Sequence, residues 1–172
     1  MREIVKQFNV YNGIPGADFG RVMGVGEEFP LPDFSFMSDT QNGAGLYGSY
    51  DMPALGMVEA FTIAPPFFTK SDDYYDLVGP NGFVSLVIRY ARVQQRNGLD
   101  LELPGVVRIM GQIKGANLGR VGKARSENPG MVISCSFFED IRNLRVCTRW
   151  GLDEESFIWN GRDYNLLTRI FT

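Results

Sequence analysis

Val84-Ser85-Leu86-Val87-Ile88-Arg89-Tyr90 decides the fold. Val84, Leu86, Ile88 and Tyr90 fall on one side of an extended chain, and Ser85, Val87 and Arg89 fall on the other. A period of two is the signature of a strand with one buried face. The pattern recurs in both directions along the sequence. Val107, Ile109 and Ile113 oppose Arg108, Met110, Gln112 and Lys114, and Ile133-Cys135-Phe137 and Leu144-Val146-Thr148-Trp150 read as two strands joined around Asp140-Ile141-Arg142-Asn143. Upstream, Phe34 and Phe36 alternate with Asp33, Ser35, Met37 and Asp39, and Val58 to Pro65 is a further strand stopped by Pro65-Pro66. Turn signals separate these runs: Pro80-Asn81-Gly82, Asn97-Gly98, Asn128-Pro129-Gly130 and Asn160-Gly161. Asn-Gly pairs favour the positive dihedrals of tight hairpins. The expectation is a mainly β fold, a barrel or sandwich.

One short helix interrupts the pattern, from Thr69 or Ser71 to Val78. Ser71 is a natural N-cap, Asp72 and Asp73 stand in the first turn, and Gly79-Pro80 ends it. The stretch from Gln41 to Gly56 reads as a long protruding loop. It carries Gly43, Gly45, Gly48 and Gly56 together with Leu46, Tyr47, Tyr50, Met52 and Leu55. A loop this long and apolar usually contacts another molecule.

The chain has 172 residues, 44% hydrophobic and 22% charged, which suits a single domain over residues 1–172. It has no histidine, so Ser-His-Asp and Cys-His catalysis and His-ligated zinc or haem fall away. Two cysteines make neither a four-thiolate metal site nor a disulfide framework. Cys135 shares the parity of Ile133 and Phe137 while Cys147 takes the opposite one, so both are expected as free thiols. No run reaches the roughly 18 apolar residues of a membrane span, and the first residues lack the apolar region of a secretion signal.

Other candidate chemistry is weak. Gly115 to Lys123 lacks the spacing of a phosphate-binding loop, with Asn117 and Ala124 at the critical positions. The acids Asp72, Asp73 and Asp76, or Asp153, Glu154 and Glu155, could form a catalytic carboxylate pair or hold calcium, but no EF-hand spacing is present. Arg120, Lys123 and Arg125 form a basic cluster with no interleaved aromatic, unlike a base-stacking platform, so no specific nucleic-acid binding is expected. Charge is uneven: residues 1–76 sum to −7 and residues 77–172 to +4. Such asymmetry fits a nucleic-acid arm, self-complementary contacts between copies, or charges that simply decorate solvated faces.

The order of motifs resembles the major tail tube proteins of contractile-tailed phages and R-type, phage-tail-like bacteriocins. The likeness is carried by Phe8-Asn9-Val10-Tyr11-Asn12-Gly13, by Phe29-Pro30-Leu31-Pro32-Asp33-Phe34-Ser35-Phe36, and by Asn42-Gly43-Ala44-Gly45-Leu46-Tyr47-Gly48. It continues in Val107-Arg108-Ile109-Met110-Gly111-Gln112-Ile113-Lys114, Ile133-Ser134-Cys135-Ser136-Phe137-Phe138 and Trp159-Asn160-Gly161-Arg162-Asp163. The resemblance implies a structural subunit without catalytic residues, metal or cofactor. It implies self-assembly as hexameric rings stacked head to tail into a hollow tube, assembled in the bacterial host cytoplasm for a virion tail or tailocin. Implied partners are a sheath around the tube, baseplate and tail terminator proteins at its ends, and a tape-measure protein and DNA in the bore.

Within that resemblance Asp33, Ser35, Met37 and Asp39 are expected to line the lumen. An acidic wall repels DNA, a neutral one does not hold it, and either lets it slide. Asn42, Gly43, Ala44, Gly45, Leu46, Tyr47, Tyr50 and Met52 are expected in an inter-ring loop. Two other readings stay open: a secretion-type contractile injection tube, or a monomeric β-domain that binds a small ligand or hydrolyses sugars with a carboxylate pair.

Overall fold

A computed structural model describes residues 2–14, 20–45, 47–96, 99–154 and 156–165. The expected β class holds. The strands are β1 (Arg2–Asn12), β2 (Phe36–Gln41), β3 (Tyr50–Val58), β4 (Thr62–Ile63), β5 (Phe83–Arg96), β6 (Leu99–Asn117), β7 (Gly130–Arg142), β8 (Arg145–Gly151), β9 (Ser156–Trp159) and β10 (Arg162–Asp163). One short helix, α1 (Asp72–Asp76), and a 3-10 turn at Pro80–Gly82 precede β5. The main sheet is antiparallel in the order β1-β5-β6-β7-β8-β9-β10, with β4 pairing β7, while β2 and β3 form a separate two-stranded ribbon.

One row across the sheet shows why the alternating runs fold together. Leu86 pairs with Ile109, Ile109 with Phe138, Phe138 with Trp150, and Trp150 with Phe157. All five side chains are buried. Burying an apolar side chain of this size contributes about 1.5–3 kcal/mol, so this row alone commits five strands to one register. Phe61, Phe67, Tyr74 and Leu77 cover the same core from the segments between β3 and β5.

The Asn-Gly turn between β9 and β10 forms as read, with Asn160 at φ 51° and Gly161 at φ 76°. Asn97-Gly98 lies outside the described residues. The β7–β8 turn corrects the sequence reading. It is Asn143-Leu144, with φ of 50° and 62°, because β7 runs on through Asp140 and Ile141 to Arg142, which pairs with Arg145. Two positive-φ residues make the primed turn that matches strand twist, and the sequence disguised it with a leucine. The helix is shorter than expected, and the Ser71 side chain makes no capping hydrogen bond. Tyr74 anchors it instead: it is buried edge-on to Phe67 at 5.1 Å, and its hydroxyl donates to the Gly130 carbonyl at 3.1 Å.

Two boundaries differ more consequentially. The first strand of the ribbon begins at Phe36 rather than Asp33, leaving Asp33 and Ser35 in irregular chain before it. The stretch 41–56 is not one long loop, since β3 begins at Tyr50 and pairs back on β2. Pro53 and four glycines hid the strand from a propensity reading.

Candidate assembly surfaces

The β2–β3 ribbon stands apart from the main sheet. Asp39 lies opposite Met52 and Gln41 opposite Tyr50 on one face, with Ser38 opposite Pro53 and Thr40 opposite Asp51 on the other. From Met37 to Leu55 every described residue is exposed. Tyr47 stands fully in solvent, and Tyr50, Met52 and Met57 are more than half exposed. An isolated two-stranded ribbon is marginally stable in water, and this one carries exposed apolar side chains.

The root of the ribbon is fixed. Phe34 and Phe36 point inward as the alternation predicts, with Phe36 edge-on to Phe157 at 5.0 Å and Phe34 within 6.4 Å of Trp159. Gly56, at φ +91°, is closed over by Asn165: a Cβ there would come 2.1 Å from Asn165 Oδ1. An open apolar groove of about 520 Å³ remains beside this root, lined by Phe34, Phe36, Leu55, Phe157, Trp159 and Tyr164, with Asp33 also on it.

The structure thus distributes the residues singled out above. Asp33 borders the groove, Ser35 donates from Oγ to Glu59 Oε2 at 2.7 Å, and Met37 and Asp39 continue exposed onto β2. Asn42, Gly43, Ala44 and Gly45 form the exposed far end of the ribbon with Tyr47, while Leu46 lies outside the described residues. Tyr50 and Met52 are strand residues rather than loop residues, and Met52 Sδ is 3.8 Å from Gln41 Nε2.

Two of the acidic candidates have structural employment. Asp73 Oδ2 accepts the Met23 amide at 3.1 Å, and Glu154 takes two hydrogen bonds from Arg149 at 2.8 and 2.9 Å, while Glu155 lies outside the described residues. Among the described residues no group of His, Cys, Asp and Glu could hold a metal ion. Both cysteines are free, as their parity predicts. Burial pushes the Cys135 thiol up to about 11.

Sequence reasoning missed two adjacent buried carboxylates on β7, which point to opposite faces of the sheet. Glu139 sits between Arg108, at 3.0 Å from β6, and Arg149, at 3.7 Å from β8. Asp140 accepts from Tyr90 at 3.2 Å and from Arg142 Nε at 3.0 Å. Burial, and secondarily Asp140, push the Tyr90 hydroxyl above its ordinary pKa. The run Phe137-Phe138-Glu139-Asp140 contains no turn residue, which is the signal that the strand continues through both acids.

Among the described residues these features make a sheet with a buried core side and a separate ribbon with both faces exposed. Comparison with known sequences agrees with a structural role. The profile of one family, described as phage tail tube protein FII, matches residues 2–169. No curated protein matches the chain.

Proposed function

This chain belongs to the phage tail tube protein FII family, and from that premise we propose that it assembles as hexameric rings stacked into the hollow tube of a contractile tail. Membership makes it a structural subunit of a tail tube and a component of the virion tail. The finer reading adds a surrounding sheath, baseplate and terminator proteins at the ends, and a tape-measure protein and then DNA in the bore. It extends equally to a tailocin, whose tube punctures a membrane without carrying a genome. Assembly takes place in the host cytoplasm.

The observation that carries this reading is the β2–β3 ribbon, exposed on both faces and rooted in an aromatic cluster. A subunit contact that uses two different surfaces closes into a ring or propagates as a filament. The ribbon supplies one such surface, with residues 42–45, Tyr47, Tyr50 and Met52 reaching the neighbouring ring. Asp33, Ser35, Met37 and Asp39 face the bore, with Asp39 at the point where the wall passes into the arm.

Negative-stain microscopy of the purified chain tests the proposal. Six-fold rings or hollow tubes are the expected result. A species that stays monomeric at high concentration, alone and with baseplate components, overturns it. Asp33→Lys is expected to slow DNA passage in a complete particle while tubes still form, and unchanged ejection would remove Asp33 from the bore.

A further inference from the structure

We propose that the acidic β2–β3 ribbon of one copy docks on the basic loop between β6 and β7 of a second copy. The inference rests on the tube reading, since it requires copies to meet, and it names the two surfaces that meet.

Charge is the first argument. Between Arg21 and Lys70 the sequence has no lysine or arginine, but it has Glu27, Glu28, Asp33, Asp39, Asp51 and Glu59. The ribbon lies in the middle of that stretch, and Asp39 and Asp51 are exposed on its two faces. Asp51 accepts a hydrogen bond from Thr40 Oγ1 at 2.7 Å, and neither acid meets a cation among the described residues.

The loop from residue 118 to 129 is its opposite. Arg120, Lys123 and Arg125 are exposed and make no ion pair among the described residues, and exposed Lys114 adds a further positive charge at the loop's root. The loop's one acid, Glu127, is retained internally: it accepts the Lys70 amide at 2.8 Å and lies 3.7 Å from Lys70 Nζ. Main-chain bonds from Arg120 to Glu127 at 2.8 Å and from Asn128 to Phe68 at 3.2 Å fix the loop's base. The cations are therefore presented from a tethered frame.

Apolar exposure is the second argument. Val121 is 90% and Leu118 58% exposed beside the cations, and Tyr47 is 109% and Tyr50 64% exposed on the ribbon. Stable interfaces combine an apolar centre with complementary charge around it. Each surface here has the apolar part and only one sign of charge, and the two signs are opposite. A contact between different surfaces of one chain repeats from copy to copy, as a tube requires.

Charge exchange tests the pairing, read by sedimentation and negative stain beside the wild type. Asp39→Lys with Asp51→Lys, and separately Arg120→Glu with Lys123→Glu and Arg125→Glu, should each raise the concentration needed for polymer about tenfold or more, because like charges then face one another. The chain carrying all five changes should recover polymer. Melting temperatures of the unassembled chains should match wild type, which separates a contact between copies from one within a copy. If wild type forms tubes and either variant set does so equally well, the pairing is wrong. It is also wrong if the five-fold variant folds but does not recover, or if the loop variant polymerises normally and loses only DNA retention. If wild type itself forms no polymer, the tube reading fails before the pairing is reached.

Discussion

The ring of Tyr90 occupies the space a side chain on Gly105 would need. The two residues are cross-strand partners in β5 and β6, and a Cβ at Gly105 would come 2.2 Å from Tyr90 Cζ. The ring covers the bare backbone and holds its hydroxyl at Asp140. Gly105→Ala therefore displaces Tyr90 and leaves Asp140 short of a donor. Overpacking and loss of a buried hydrogen bond together are expected to destabilise the fold by about 2–4 kcal/mol. Urea denaturation of unassembled subunits measures this, and Tyr90→Phe should give only the hydrogen-bond share, about 1 kcal/mol.

Glu139 holds three strands together from one buried carboxylate, with Arg108 on β6 and Arg149 on β8. Glu139→Ala removes the acceptor and leaves two half-exposed arginines facing each other. Their access to water keeps the expected loss near 2 kcal/mol, below that of a fully buried pair. Glu139→Gln should retain part of it. A melt of the variant that matches wild type would show the bridge to be energetically neutral.

Alkaline pH should weaken the fold through Cys135. Its folded pKa is raised from 9.0 to about 11 because burial disfavours the thiolate. The stabilisation is present in full below the unfolded value and is lost as pH climbs from 9 to 11. Two units correspond to roughly 2–3 kcal/mol. Tyr74 and Tyr90, both raised mainly by burial, act in the same direction above pH 10. Cys135→Ala should flatten the thiol part of a stability-against-pH curve. A thiol reagent near neutral pH should label half-exposed Cys147 and spare Cys135 until the chain unfolds, as mass spectrometry of digests would show.

Gly56 and Asn165 form a latch between the ribbon's root and the chain after β10. Gly56→Ala meets two penalties, the positive φ of +91° and a Cβ that would come 2.1 Å from Asn165 Oδ1, so that the Asn165 side chain must shift. Together they are expected to total about 2–3 kcal/mol. Combining the change with Asn165→Gly relieves only the clash, so the double variant should recover about half the loss. Strict additivity in that cycle would disprove the contact.

How much of this was legible in the sequence varies by element. Leu86, Ile109 and Phe138 announced their strands because one face of each is buried and the other is wet, so period two survived in the residues. The Asn160-Gly161 turn was readable from its dihedral demands. β3 was not, because it buries almost nothing of itself: Tyr50, Met52 and Leu55 are all exposed, and a strand without a buried face leaves no alternation to read. The same cause hid the cross-strand pairing of Asp39 with Met52. Glu139 and Asp140 escaped because their partners arrive from distant positions, and only the register brings Arg108 and Arg149 alongside.

At nineteen residues, β6 is the longest strand, and at ~3.3 Å per residue it runs roughly 60 Å. It is bonded to β5 along one edge from Leu99 to Gln112 and to β7 along the other from Gly105 to Asn117. A force along its axis is met in shear, with both ladders loaded at once, whereas a force across it would peel the bonds apart singly. The subunit is accordingly stiff in one direction and weak in another, and whichever way β6 points in the finished particle is the direction in which that particle can be driven hard.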